Sequence, residues 1–403
     1  MFGTAGRRAA RLIAAATVTF FGLTAPASAV PAAAVPVLPA PVGLISGAGV
    51  AGAVPGSYIV VVKPEAGPVP PAARALAREY GGTVGANYLS TVRGFQLQAT
   101  AFQAARLAAD PAVAYVEQDA VMNTTATATT PWGLDRIDQR TAKLSGTYHS
   151  TSAADVTAYV IDTGIRISHD EFGGRARNGW DFVGDDKVAE DCNGHGTHVA
   201  GTIGGATYGV AKDVRLVALK VLGCSGSGKF SDFIAAVDWV TANAKLPAVA
   251  NMSLGGPVSK TLDAAVNRSI AKGVTYVIAG GNENRNACKS SPGGTPDAIT
   301  VGAADKADKR AKFSNFGSCL DLFAPGVNIK SAGKGSDSAV KTMSGTSMAA
   351  PHAAGAAAMV LGAHPDWTPR QVRDDLVDNS VSGLVRNAGS GSPNRMLYTG
   401  HLG

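Results

Sequence analysis

Apolar positions between residues 57 and 117 switch between strand and helix periods four times. Residues 58–62 are a run of Tyr, Ile and Val, the composition of a strand, and residues 72–80 return to a helical spacing of apolar side chains. Strands are predicted again at 83–88 and, with clear alternation, at 94–98; a helix follows at 102–109 and a strand at 113–117. Strand, helix, strand, strand, helix, strand is the split βαβ arrangement, here in a unit small enough to be only marginally stable alone.

From Trp132 onward the pattern is larger and more regular. Strands are predicted at 156–161, 215–222, 249–253, 274–279, 298–301 and 321–324, with helices at 195–203, 231–244, 260–272, 346–361 and 368–378 between or after them. This alternation predicts an α/β fold, a mostly parallel sheet with helices on both faces. Ligands of such sheets gather outside the carboxyl ends of the strands. Asp162 follows a strand, and His195 and Ser347 each begin a helix, so all three belong at that edge.

Those three residues carry candidate chemistry. A serine hydroxyl is a poor nucleophile at neutral pH; it needs an imidazole to take its proton and a carboxylate to hold the imidazole in the useful tautomer. Ser347 in Ser-Gly-Thr-Ser-Met-Ala-Ala-Pro-His, His195 in Asn-Gly-His-Gly-Thr-His and Asp162 in Val-Ile-Asp-Thr-Gly supply these parts. Taken singly each has a plainer explanation: a turn aspartate, a helix-capping serine, a structural histidine.

Composition narrows the setting. With 45% hydrophobic and 16% charged residues the chain is globular, and a net charge of +6 without a basic stripe gives no reason to expect a nucleic-acid partner. Residues 1–29 have Arg7, Arg8 and Arg11, an apolar stretch at 12–23 and Ala27-Ser28-Ala29, the pattern of a secretory signal; the stretch is short for a membrane anchor. The mature product is then expected to be extracellular and free of the membrane. Residues 30–56, rich in Ala, Pro and Val, read as an extended linker, and residues 123–130, rich in Thr and Ala, as a processing linker between the small unit (57–122) and the main domain (131–403).

Four cysteines in an exported chain allow three pairings. Nearness in sequence suggests Cys192 with Cys224 and Cys288 with Cys319; buried free thiols are the alternative, and the spacing does not suit zinc.

Jointly, the three motifs resemble the subtilisin-like serine proteases, or subtilases, in residue type, in the order Asp, His, Ser and in placement, and the proteinase K-like branch most of all. The resemblance runs from about residue 132 to 398. It implies that His195 is the base and His198 its structural neighbour. It implies also that Asn282, in Ile-Ala-Gly-Gly-Asn, joins the Ser347 backbone N–H in stabilising the oxyanion. Gly280 stands where this family usually has Ala, an exchange expected to loosen the pocket wall.

Substrate contacts implied by the resemblance are Ser225, Gly226 and Ser227 at one edge, Ser253, Leu254, Gly255 and Gly256 at the other, and Ala279, Gly280 and Gly281 beside Asn282. No Asp or Glu lies in either of the first two segments, so an apolar or aromatic residue is expected before the scissile bond. Structural calcium is expected at Asp321 with the backbone oxygens of Pro296 and Ala298, and at Asp135, Asp138 and Gln139, although Ser145 replaces an acidic ligand some relatives use. The small unit resembles an inhibitory propeptide that acts as intramolecular chaperone and is cleaved near residues 123–128, with Thr125 a candidate first residue. The expected product is a monomeric endopeptidase acting on proteins and peptides. An α/β-hydrolase esterase would need Gly-x-Ser-x-Gly and the order Ser, Asp, His; Ala349 and the observed order speak against it. A non-catalytic relative would not be expected to keep all four catalytic residues.

Overall fold

The computed structural model describes residues 42–50, 52–123 and 132–402. The expected signal (1–29), residues 30–41 and 51 of the expected linker, and residues 124–130 with Thr125 lie outside these residues.

The small unit forms as its periodicity predicts, with a longer reach. Its strands are β1 (Ile45–Ser46), β2 (Ala53–Val62), β3 (Thr83–Tyr88), β4 (Gly94–Gln98) and β5 (Val113–Asn123), and its helices α1 (Val69–Tyr80) and α2 (Ala101–Leu107). The sheet order is β1-β5-β2-β4-β3, antiparallel except for β1 beside β5. Two boundaries differ from expectation: β2 begins at Ala53, and Ile45–Ser46 pair with β5, so the end of the expected linker belongs to the sheet. Backbone pairing imposes this, because a strand edge satisfies amides whatever the side chains. Thr100 starts α2 with a capping box that includes Gln103.

All of residues 58–62 are buried, because both faces of β2 are covered. Tyr58, Val60 and Val62 pack with Ala73, Leu76 and Leu107 of the unit's own helices. Ile59 points the other way and shares a core with Phe230, Phe233 and Val237 of the main domain, as do Tyr88, Val92 and Ala120.

The main domain begins with α3 (Gly133–Ile137), β6 (Thr157–Asp162), β7 (Ala176–Asp181), α4 (His195–Gly204), β8 (Arg215–Lys220), β9 (Ser227–Lys229) and α5 (Phe230–Asn243). It continues with β10 (Ala248–Met252), α6 (Lys260–Ile270), β11 (Val274–Ala279), β12 (Ile299–Ala304), β13 (Leu322–Pro325), β14 (Ile329–Ala332) and β15 (Val340–Met343). It closes with α7 (Thr346–Ala363), α8 (Pro369–Asp378), β16 (Val381–Ser382) and β17 (Arg395–Met396). Nine strands form one sheet in the order β16-β17-β13-β12-β11-β10-β6-β8-β7, parallel apart from the β16–β17 pair.

Strand order proceeds from β6 toward β8 on one side and toward β10 on the other, so the switch point lies between β6 and β10, where a crevice opens at the strand ends. Asp162 ends β6, and Ser253 follows β10. On one face of the large sheet α7 lies beside α4 and against β10 to β13, buried from Thr346 to Leu361 and apolar all round. Close approach of α7 to α4 depends on Gly355, where a Cβ would come 2.5 Å from the Val210 Cβ and 3.0 Å from the Ile203 carbonyl.

Candidate active site

Asp162 and His195 are brought together by the end of β6 and the first residue of α4. His195 Nδ1 lies 2.7 Å from Asp162 Oδ1, with both side chains buried, and the Thr163 amide donates to the same oxygen at 2.8 Å. The contact needs a glycine after the histidine, because a Cβ at Gly196 would stand 2.1 Å from the Gly164 carbonyl oxygen. Nδ1–H pointing at a carboxylate leaves Nε2 as the basic nitrogen, and Nε2 has no partner among the described residues. Burial by itself depresses the imidazole's pKa; the charge and hydrogen bond of Asp162, with Asp191 beyond it, outweigh this and hold it above the ordinary histidine value. His198, on the next turn, gives Nε2 to the Ile329 carbonyl at 2.9 Å, and burial drives its pKa down to about 3. It stays neutral and apart from the site.

Ser347 is the second residue of α7, where first-turn amides have no partner within the helix. Its hydroxyl donates to the Ser253 carbonyl at 3.0 Å. Pro351 sits inside α7 and has no N–H to give to the carbonyl four residues back, which is that of Ser347. Ser253 Oγ fills the gap, donating to the Ser347 carbonyl at 2.9 Å, and itself accepts from Asn251 Nδ2 at 2.8 Å. Ser253, expected only as a substrate contact, thus also ties the end of β10 to the start of α7.

Asn282 follows β11. Its side-chain oxygen accepts from the Thr346 amide at 2.8 Å and the Thr346 hydroxyl at 3.0 Å, which turns the amide nitrogen away from Thr346. Thr346 Oγ1 also receives the Gly281 amide at 3.1 Å. Neither Thr346 nor Asp191 stands out in sequence; each matters through the backbone groups it holds.

The expected substrate edges differ in character. Ser225 and Ser227 join hydroxyls at 2.7 Å around Gly226, and β9 carries Gly228, where a Cβ would meet the Val221 carbonyl at 2.0 Å. Here β5 of the small unit pairs antiparallel with β9, placing Val121, Met122 and Asn123 opposite Lys229, Gly228 and Ser227. On the other side a Cβ at Gly255 would meet nothing within 4 Å, so that wall opens on free space; Leu254 is buried, and Gly256 pairs with Ser291. Gly280 corrects an expectation: a Cβ there would point at Leu320, 2.7 Å away, and Val301, so the missing methyl is taken up by core packing and does not loosen the pocket. Ala279 is likewise part of the core.

Both expected cysteine pairs are bonded, Cys192–Cys224 and Cys288–Cys319. The first anchors the turn before His195 to the 223–226 loop, helped by Asn193 Nδ2 donating to the Cys224 carbonyl at 3.0 Å.

The calcium expectations separate. Among the described residues no group of three or more His, Cys, Asp or Glu side chains could hold a metal. Asp321 is buried, accepts from the Thr300 amide at 2.7 Å and from Arg373, and burial still pushes its pKa up against the opposing Arg373 charge. Its Oδ1 is taken by Arg373, whereas Oδ2 accepts the Thr300 amide alone and keeps a lone pair of the kind a hard cation takes. The second set does not fit. Asp135 takes the Ser145 and Gly146 amides at 2.8 Å each, and Gln139 turns its amide nitrogen, not its oxygen, toward Asp138 and Ser145. That loop closes on its own hydrogen bonds because Ser145 is a donor where an acid would have been a ligand.

Known proteins agree with this geometry. Residues 153–397 match the model of the subtilase family, peptidase S8. An extracellular serine proteinase of Thermus sp. (strain Rt41A) is 49% identical over 370 residues, spanning 86% of this chain and 90% of its own. A cuticle-degrading serine protease of Arthrobotrys oligospora is 42% identical over 386 residues, spanning 90% of this chain and 94% of its own. The crystal structure of a cold adapted subtilisin-like serine proteinase superposes with a TM-score of 0.65 at 51% identity, over 68% of this chain and 99% of that one. The chain belongs to the subtilase family. It is a subtilisin-like serine protease of the Asp-His-Ser type and hydrolyses peptide bonds.

Proposed function

We propose that the protein is a secreted endopeptidase made as a self-processing zymogen, working as a monomer through an acyl-enzyme on Ser347. Attack begins when the Ser347 hydroxyl turns from the Ser253 carbonyl to His195 Nε2, which takes its proton while Oγ bonds to the substrate carbonyl carbon. Asp162 keeps Nδ1 protonated and balances the imidazolium. The oxyanion is met by the Ser347 amide and the Asn282 side chain, a donor oriented by Thr346. His195 then protonates the leaving amine; water gives a proton to Nε2 as its oxygen bonds to the acyl carbon, and Nε2 returns that proton to Ser347 Oγ as the C–Oγ bond breaks and the acid leaves.

The observation that carries the zymogen reading is the pairing of β5 with β9. A segment of the protein's own chain lies along the edge expected to take substrate, in the strand-addition mode of peptide recognition, and leads toward residues 124–131. Residues 57–122 therefore act as inhibitor and folding partner, and cleavage falls within 123–128. Secretion is supported by the charged and apolar start of the chain and by the extracellular name of the Thermus relative; among the described residues no helix is long and apolar enough to cross a membrane.

Ser347→Ala tests the core of this reading. Peptidase activity should fall by about 10⁶-fold, the size known for serine removal in a subtilisin, and the chain should accumulate uncleaved in a host without other proteases. Normal processing of that variant would overturn self-cleavage.

Open space beside Gly255 and the lack of acidic residues in 225–227 and 253–256 support an apolar or aromatic preference before the scissile bond. A peptide library should be cut chiefly after such residues; cleavage mainly after Arg or Lys refutes the preference. Calcium, held by Asp321 with the backbone of Pro296 and Ala298, would supply positive charge that stabilises this buried carboxylate. Chelation is then expected to lower the melting temperature, and an unchanged value removes calcium from the account.

A further inference from the structure

Behind the Asp162–His195 pair stands a third buried carboxyl group that the mechanism above does not use. Asp191 is 4% exposed and accepts five hydrogen bonds. Oδ1 takes the Thr163 hydroxyl at 2.9 Å and the amides of Asn193 and Gly194 at 2.9 and 2.7 Å; Oδ2 takes the amide and hydroxyl of Thr197 at 2.9 and 2.6 Å. All five contacts to its two oxygens come from hydrogen-bond donors, which fixes the carboxyl group in place.

These partners come from the two segments that must meet for the site to exist. Thr163 directly follows Asp162, whereas Gly194 and Thr197 flank His195 at the start of α4. Thr163 closes the loop: its hydroxyl donates to Asp191 and accepts the Gly196 amide at 2.9 Å. Neighbouring Cys192 fixes Asp191 from outside through its disulfide to Cys224.

We propose that Asp191 is a second positioning carboxylate of the reaction. It fastens the Asp162–Thr163 turn to the helix that presents His195, and it sets a second negative charge behind the imidazolium that forms during attack. The inference rests on the assignment of His195 as base. The remaining charged or titratable groups around His195 are few. Lys220 of β8 is held on the carbonyls of Thr163 and Leu222, the Lys334 stem lies against Gly194, Glu190 precedes Asp191, and His198 and His352 are buried and neutral. Asp191 is therefore the carboxylate beside Asp162 that favours the charged imidazole.

Two variants separate charge from fastening. In Asp191→Asn the acid limb of the kcat/KM–pH profile should move to lower pH, because a charge that favours imidazolium is gone, and kcat should fall by about 10- to 100-fold with little change in KM. In Thr163→Val the charge remains and the link is cut, so kcat should fall while the acid limb stays where it is. A kcat within twofold of the parent in Thr163→Val, or an unmoved acid limb in Asp191→Asn, overturns the proposal. If Asp191→Asn yields no mature enzyme, the His195 titration read by NMR in the Ser347→Ala chain, with and without Asp191→Asn, gives the same decision. His195→Ala is the control for the underlying assignment: activity surviving in that variant would defeat the base itself, whereas the failures above would leave it standing.

Discussion

The two sheets of this protein are covered in different ways. The nine-stranded sheet lies between helices of its own domain, with α7 and α4 against one face and α5 and α6 against the other, and each face has its own core. The small sheet has its own helices on one face only. Its second face is completed by α5, through Ile59, Tyr88, Val92 and Ala120, which share the main domain's core. A unit of about 70 residues that borrows half its burial is stable while docked and marginal once released, the property a removable inhibitor needs.

Docking is also polar, and carboxylates of both partners take part. Two carboxylates on the same face of β5 meet two helix beginnings. Glu117 accepts from the amide and hydroxyl of Thr261 at the start of α6, and Asp119 from the Ser231 amide at the start of α5, at 3.2 Å. Asp238 of α5 reciprocates, accepting the amides of Ser90 and Thr91 at 2.6 Å each. Helix beginnings offer unpaired amides and partial positive charge, so carboxylates there replace water without leaving donors unsatisfied.

The contrast between the two sheets can be broken most forcefully at these carboxylates. Glu117→Ala with Asp119→Ala should weaken docking by about 3 kcal/mol, roughly 100-fold in the dissociation constant. The main domain, whose cores do not depend on either side chain, should unfold as before once mature. Inhibition of the mature enzyme by the added 42–123 segment measures the first, and thermal melting of the mature enzyme the second. If inhibition is unchanged, docking is governed by the apolar face alone.

A smaller effect concerns pH. Burial, with Asp119 adding to it, raises the Asp232 pKa to about 6, and burial, with Glu117 a lesser contributor, does the same for Asp263. A carboxyl group whose pKa is higher in the docked state binds more protons there, so docking is favoured at low pH and loses ground as pH rises from about 4 through about 6. On the order of a tenfold weakening is expected between pH 4 and 7, since burial by the main domain itself accounts for part of each shift. Inhibition constants measured across that range decide it; tighter inhibition at pH 7 than at pH 4 would contradict the sign.

Much of this was legible in the chain. Alternation at 94–98, the β-branched run at 58–62 and the helical spacing at 346–361 predict the elements that form, because each buries a face whose period matches its geometry. Residues 225–228 carry no apolar period, and β9 exists only because β5 supplies its partner. β7 and the β14–β15 hairpin were not foreseen either: β7 is only partly buried along its length, and the hairpin is a short pair of strands. Asp191 and Thr346 were missed for a related reason. Their function lies in the backbone amides they hold, and no residue type announces that.

By itself the sequence determined the alternation of strands and helices, the split unit ahead of it, and which three side chains have the chemistry of acyl transfer, since these depend on local periodicity and on residue type. Tertiary structure decided what those elements meet. It set His195 Nδ1 on Asp162, left Ser347 resting on Ser253, packed Gly280 into the core, closed the Asp135 loop on the Ser145 and Gly146 amides and laid β5 along β9. Each of these is a contact between segments far apart in the chain, fixed by hydrogen-bond satisfaction and close packing that only the assembled fold can impose.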